Sequence, residues 1–221
     1  IGDTALFAGL RRLGPRRNTI LFASNAPISA MLGYFFLSEF LSPWALLGCA
    51  LVLSGVIMSI VFGKRREQIH HWEAIQGNAA FGIIIGLAAG FCQAAGAIIA
   101  KPALMAGADP IAASAIRVGI ASLCLLATFL IPGNRFKSSV ALTPSLFASI
   151  SISGFIGMGI GMSLLLYALA YESTGIIMTL SATTPVMILP LLWLMTRERP
   201  ALGALAGAAL ALCGTGLIFS I

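Results

Sequence analysis

Apolar stretches of about 20 residues fill most of this 221-residue chain, and they limit its fold more than any other feature. The hydrocarbon core of a bilayer is about 30 Å thick, and a helix rising about 1.5 Å per residue crosses it in about 20 residues. Apolar residues make up 59% of the chain and charged residues 9%, which is the composition of a membrane protein.

Every stretch must be a helix, because lipid offers backbone groups no partner and the stretches lack the alternation of barrel strands. We predict an all-α integral membrane protein, a polytopic helical bundle. The predicted spans are a partial one at 1–10 and seven full ones at about 18–37, 44–63, 79–100, 111–131, 146–171, 175–195 and 202–221.

Two parts of the chain carry the same pattern at a constant spacing of 159 residues. Each has a span with a proline, then a corner with one acid, then a span with two glycines seven residues apart. The matching residues are Pro27 and Pro185, Glu39 and Glu198, Gly48 and Gly207, and Gly55 and Gly214, with the two prolines matching only approximately. This pattern predicts a tandem repeat, which is typical of transporters.

The second copy of the pattern extends further upstream than the first. Ile1 aligns with Ile160 at the same spacing, and about two and a half predicted spans of the second copy precede Ile160. We therefore expect about 80 further residues before Ile1, and two five-span halves in the complete protein. Five is odd, so the halves would form an inverted repeat of ten helices. The predicted domains are the end of the first repeat at 1–63, a basic linker loop at 64–78 and the second repeat at 79–221.

Four short motifs resemble the EamA-type domain of the drug/metabolite transporter superfamily: FLSE at 36–39, LLG…GV at 46–56, DPIAASAIR at 109–117 and LLYALAYESTG at 165–175. The second copy has MTRE at 195–198 in place of FLSE, which keeps the glutamate and changes its neighbours. The resemblance implies a ten-helix exporter or carrier of small metabolites, such as amino acids or drug-like compounds, with a central cavity between the halves.

The basic residues indicate the orientation in the membrane. Eleven of the 13 Lys and Arg residues lie in predicted loops on one face, and Lys101 lies on the other. The positive-inside rule makes the basic loops cytoplasmic; they are 11–17, 64–78, 132–145 and 196–201. This count places both ends of the complete protein outside, whereas the resemblance implies both ends inside, and we follow the count. The excess of basic residues then reflects topology and contact with anionic lipid, not nucleic acid, and we expect the protein in a bacterial plasma membrane.

Ionisable and amide side chains within the spans are candidate substrate contacts, since burying them in hydrocarbon is costly. Asp3, with Thr4 beside it, is either a proton- or substrate-coupling carboxylate or an acid whose partner precedes Ile1. Arg117 either snorkels to the interface or binds an anionic or zwitterionic substrate. Gln93 either bonds a neighbouring helix or contacts a ligand.

Polar runs precede the two span prolines, which we expect to act as hinges or kinks. Ser24 and Asn25 precede Pro27, and Ser181, Thr183 and Thr184 precede Pro185. Equivalent places in two repeats are where inverted-repeat carriers build a midplane site, although hydroxyls can also bond back to their own helix. Tyr167 lines the cavity or joins an interfacial aromatic belt, and Tyr171 fits the belt better. We interpret Glu39 and Glu198 as solvated helix caps, with gating as the alternative.

Three classes of function fit these features to different degrees. A secondary transporter explains the repeat, the polar runs and the short connections. A non-transporting membrane scaffold is the first alternative, and an intramembrane enzyme the second. The enzyme is disfavoured because both histidines, His70 and His71, lie in a loop.

We expect no cofactor, no metal and no disulfide, because the four cysteines fall in apolar spans. No ATP-binding motif is present, so a solute or proton gradient would supply the energy for moving a small-molecule substrate.

Overall fold

A computed structural model of the protein describes residues 2–62, 78–128, 143–184, 186–187 and 201–219. The regular structure in those ranges is helical, which confirms the all-α prediction. The helices are α1 (Gly2–Phe22), α2 (Asn25–Leu37), α3 (Pro43–Phe62), α4 (Ala79–Met105), α5 (Pro110–Thr128), α6 (Pro144–Gly154), a π-helix π1 (Phe155–Gly161), α7 (Met162–Tyr171), α8 (Thr174–Ser181) and α9 (Leu202–Phe219).

Six described stretches are long and apolar enough to cross a membrane: Arg17–Leu37, Pro43–Phe62, Ala79–Met105, Pro110–Ala127, Pro144–Tyr171 and Leu202–Phe219. They confirm six of the seven full spans expected from the sequence. The remaining span, 175–195, extends outside the described residues. Large apolar side chains such as Phe36 and Trp44 are exposed, as expected for helices that face lipid.

The chain divides into two compact units. Unit one comprises Ile1–Ala100 and Glu172–Ile221, and unit two comprises Lys101–Tyr171. In unit two, α5 packs against α7 and π1. A methyl group at Gly157 in π1 would meet no atom within 4 Å among the described residues.

In unit one, α1 is two helical arms joined at Gly14. Gly14 has φ 78° and ψ 165°, a backbone conformation open mainly to glycine. The prediction of a loop at 11–17 is therefore wrong. These residues belong to α1, and the chain changes direction at Gly14. The Asn18 amide ties the arms together, because Nδ2 donates to the Leu6 carbonyl oxygen at 3.2 Å.

The helices that carry the polar runs are interrupted at matching places. The first break is a turn at Ala23 and Ser24, and the second is a turn at Ala182 and Thr183, again 159 residues apart. Pro27 is the third residue of α2, in a first turn where a missing N–H is tolerated. Pro185 lies outside the described residues.

Helices α3 and α9 pack so closely that their repeated glycines touch. A methyl group at Gly48 would lie 3.0 Å from the Gly214 carbonyl oxygen, and one at Gly55 would lie 2.5 Å from that of Gly207. Val52 and Val56 are fully buried at the centre of this contact. Two helices can approach this closely only where the facing residues have no side chains. The close approach gives the two membrane helices extensive van der Waals contact.

Candidate functional site

The first break lies against a glycine face of α4. A methyl group at Gly90 would lie 2.8 Å from Ser24 Oγ and 3.3 Å from the Phe22 carbonyl oxygen. One turn earlier, a methyl group at Gly86 would lie 3.3 Å from Asn18 Oδ1. The two glycines therefore bring the backbone of α4 directly onto the polar atoms of the break.

Three oxygens at this break are buried and have no hydrogen-bond partner within the described ranges. They are Asn18 Oδ1, Ser24 Oγ and Asn25 Oδ1. Asn18 is 0% exposed and Asn25 is 3% exposed. Leaving a buried polar atom without a partner costs about 1–3 kcal/mol, so such atoms are uncommon in folded proteins.

Sequence reasoning identified Ser24 and Asn25 and missed Asn18. Asn18 follows Arg16 and Arg17, and the run resembled the end of a hydrated loop. Its spacing of seven residues from Asn25 gives no signal by itself, because the helix is interrupted between them at Ala23 and Ser24.

The hydroxyls at the second break are satisfied locally. Thr183 Oγ1 donates to the Leu180 carbonyl oxygen at 2.6 Å, and Thr184 Oγ1 donates to that of Ser181 at 2.8 Å. Ser181 itself is exposed. The second break therefore follows the alternative interpretation, in which the hydroxyls bond back to their own helix.

The other predicted site residues are spread over both units. In unit one, Asp3 and Gln93 are partly buried and Thr4 is exposed. A methyl group at Gly2 would lie 3.1 Å from Cys92 Cβ, so the start of α1 meets the middle of α4 next to both polar residues.

In unit two, Arg117 is partly buried on α5. The rings of Tyr167 and Tyr171 lie 5.0 Å apart, centroid to centroid, at an interplanar angle of 53°. Both tyrosines are exposed, which suits an aromatic belt.

Glu39, in the first copy of the repeated pattern, contacts a residue of the second copy. Helix α2 ends at Leu37, and its C-cap Ser38 is in the left-handed conformation with φ 54°. The Glu39 N–H donates to the Gly33 carbonyl oxygen at 3.1 Å. The turn brings the Glu39 carboxylate to Thr174, the first residue of α8. Oε2 accepts from the Thr174 N–H at 2.7 Å, and Oε1 accepts from the Thr174 hydroxyl at 3.0 Å.

Glu39 is thus a helix cap, as expected, but it caps a helix of the other copy instead of facing solvent. Its carboxylate is partly buried and Thr174 is fully buried. A negative charge at a helix N-terminus is favourable because the N–H groups there carry partial positive charge. Glu198, the matching acid, lies outside the described residues.

Comparisons with known proteins agree with this architecture. The EamA-like transporter family matches residues 80–220. No curated protein sequence matches the chain. A solved structure, described only as "Crystal structure of protein", superimposes with a TM-score of 0.74 at 16% identity, covering 98% of this chain and 71% of that chain. Identity at that level establishes similarity of fold alone.

The family match spans more than half of the chain and includes α4, α5, α7 and α9. The same chain holds six apolar helices of membrane-crossing length in its described part. It is an integral membrane protein that belongs to the EamA-like transporter family, within the drug/metabolite transporter superfamily.

Proposed function

We propose that this protein is a secondary transporter that exports small metabolites, such as amino acids or drug-like compounds, by alternating access between two inverted repeats. One observation carries the proposal: two apolar helices break at places 159 residues apart, each beside a polar run. A helix broken at membrane depth is tolerated where it is buried in protein or lines a watery path. In secondary carriers, pairs of broken helices build the substrate site.

The contacts of α3 with α9 support the inverted arrangement. Gly48 matches Gly207 in the repeat, yet it touches Gly214, while Gly55 matches Gly214 and touches Gly207. Crossed contacts of this kind are what a two-fold axis between equivalent helices produces. In the proposed arrangement the first repeat ends at residue 63 and the second repeat is 79–221, joined by the basic linker at 64–78.

Charge placement supports the proposed orientation. The Arg12 guanidinium lies 4.9 Å from the centre of the Phe81 ring, so the basic bend of α1 and the start of α4 lie at the same end of unit one. We propose that this end is cytoplasmic, with the other Lys- and Arg-rich loops. Asp3, Gln93 and Arg117 are the further polar groups that we assign to substrate binding or proton coupling.

The test is solute uptake into proteoliposomes that contain the full-length protein. We expect uptake of at least one labelled amino acid or cationic drug, driven by an imposed solute or proton gradient. Asn25→Leu should lower the initial rate about tenfold, because a leucine leaves no amide at the break. Ser54→Ala is the control: on α3, the exposed Ser54 hydroxyl already bonds the Ala50 carbonyl oxygen, at 2.7 Å.

Folded protein that moves no solute from a broad panel would contradict transport and favour a membrane scaffold. Chemical conversion of a supplied solute would favour an intramembrane enzyme, although the family is generally non-enzymatic. Thermal melting of each purified variant separates loss of function from loss of fold.

A further inference from the structure

Asn18 stands where three helical segments meet in unit one. Its Nδ2 is held by the Leu6 carbonyl oxygen of the first arm of α1, which fixes the orientation of the amide. Its Oδ1 lies against Gly9 of that arm and against Gly86 of α4. Both neighbours are glycines, so neither has a side chain that could donate a hydrogen bond to this oxygen.

The other oxygens of the first break continue along the same helix. Ser24 Oγ and the Phe22 carbonyl oxygen face Gly90, one turn along α4 from Gly86. Asn25 Oδ1 is buried in the following residue and, like Asn18 Oδ1 and Ser24 Oγ, has no donor in the part of the chain that the structure describes. The break therefore presents neutral oxygens that need a positively polarised partner.

The chemistry of these oxygens selects the ligand. Anions are disfavoured because the two amide oxygens are acceptors. Divalent cations usually take carboxylate ligands, and this set of side chains has none. Amide, hydroxyl and carbonyl oxygens beside a helix interruption suit a cation of single charge, as in carriers that hold ions at unwound segments. We propose that the first break binds one small monovalent cation, either an alkali ion or the ammonium group of a transported solute.

The second break does not repeat this site. Ile177 stands at the position that matches Asn18, and the hydroxyls of Thr183 and Thr184 are already bonded to backbone. The pair of breaks is therefore asymmetric, and the proposed site belongs to the first break alone. The cation site rests on the proposed transport function and deepens it by naming the charge of the group that one break accepts.

The test is cation-dependent stabilisation of the purified full-length protein in detergent. N-methyl-D-glucamine chloride, whose cation is bulky, sets a constant ionic strength, and it is replaced stepwise by sodium, potassium or methylammonium chloride. We expect the melting temperature to rise saturably with at least one of them. Sodium or potassium as the active species would indicate a coupling ion, and methylammonium alone would indicate a substrate ammonium group.

The variants report on the site itself. Ser24→Ala should weaken the apparent affinity about tenfold, since it removes one oxygen ligand. Asn25→Asp keeps the size of the side chain and adds a negative charge, so it should tighten binding about tenfold. Ser54→Ala, the same change as Ser24→Ala at a hydroxyl that is already bonded, should leave the affinity unchanged.

A linear or absent response to all three cations would overturn the proposal, and so would equal midpoints in wild type, Ser24→Ala and Asn25→Asp. The outcome is separate from that of the transport test. Saturable cation binding without solute flux would sustain the site and contradict the transport function. Solute flux without any cation-dependent stabilisation would sustain the transport function and contradict the cation site.

Discussion

At the scale of single residues, Glu39 does more than its place in the sequence indicates. An acid at the corner between two spans predicts a cap, because carboxylates favour helix N-termini. The sequence could not indicate which helix, since the partner Thr174 lies 135 residues away. Gly33 makes the contact possible: a methyl group there would lie 2.6 Å from Glu39 Oε2.

Replacing Glu39 by alanine should lower the free energy of unfolding by about 1–2 kcal/mol, because two hydrogen bonds to Thr174 are lost at the start of α8. Glu39→Gln should cost less, since its amide oxygen can still accept from the Thr174 N–H. Denaturant unfolding in detergent measures both changes. Wild-type stability in Glu39→Ala would show that the cap contributes nothing to the fold.

The amide at Asn18 shows the limit of residue patterns. Ser24 and Asn25 were recognisable from the sequence because they interrupt an apolar span beside a proline. Asn18 was not, because its burial depends on the bend at Gly14 and on the glycines of α4. Both features are tertiary: hydrophobic spacing gives the length of a span and not the partner that covers its polar side chains.

At the scale of helices, apolar length predicted most elements and proline predicted the breaks only approximately. Bilayer thickness constrains span length strongly, and six of the expected spans are present among the described residues. The two breaks are 159 residues apart, whereas Pro27 and Pro185 are 158 apart. The position of each break therefore follows the spacing of the repeat. The proline stands at one of two neighbouring positions after the break.

The glycine contact of α3 with α9 should be intolerant of even one methyl group. A Cβ at Gly55 would lie 2.5 Å from the Ala211 nitrogen as well as the Gly207 carbonyl oxygen, and backbone atoms cannot rotate away. We expect Gly55→Ala to destabilise the protein by about 1–3 kcal/mol, measured as a lower melting temperature.

The matched control is Gly216→Ala on α9. A methyl group at Gly216 meets no described atom within 4 Å, and alanine favours helix, so the melting temperature should stay level or rise slightly. Equal losses in the two variants would point to a general intolerance of α3 and α9 to substitution, against a specific close contact.

At the scale of the whole molecule, two inferences from the sequence disagree about orientation. The family resemblance implies that the basic segments lie outside, and their charge implies that they lie in the cytoplasm. The basic residues act locally: positive charges in short segments between spans resist translocation, and 11 of 13 lie in segments assigned to one face, four of them around the bend of α1.

Single cysteines in a background without the four native ones decide the matter. Ser38 is exposed at the corner after α2, on the face with few basic residues, whereas Gln68 lies in the basic linker. In intact cells, a membrane-impermeant maleimide should label Ser38→Cys and reach Gln68→Cys only after permeabilisation. The control is a membrane-permeant maleimide, which should label both variants in intact cells. The reverse pattern with the impermeant reagent would mean that the resemblance, and not the charge count, gives the orientation, and the basic loops would then have to cross the membrane against the positive-inside rule.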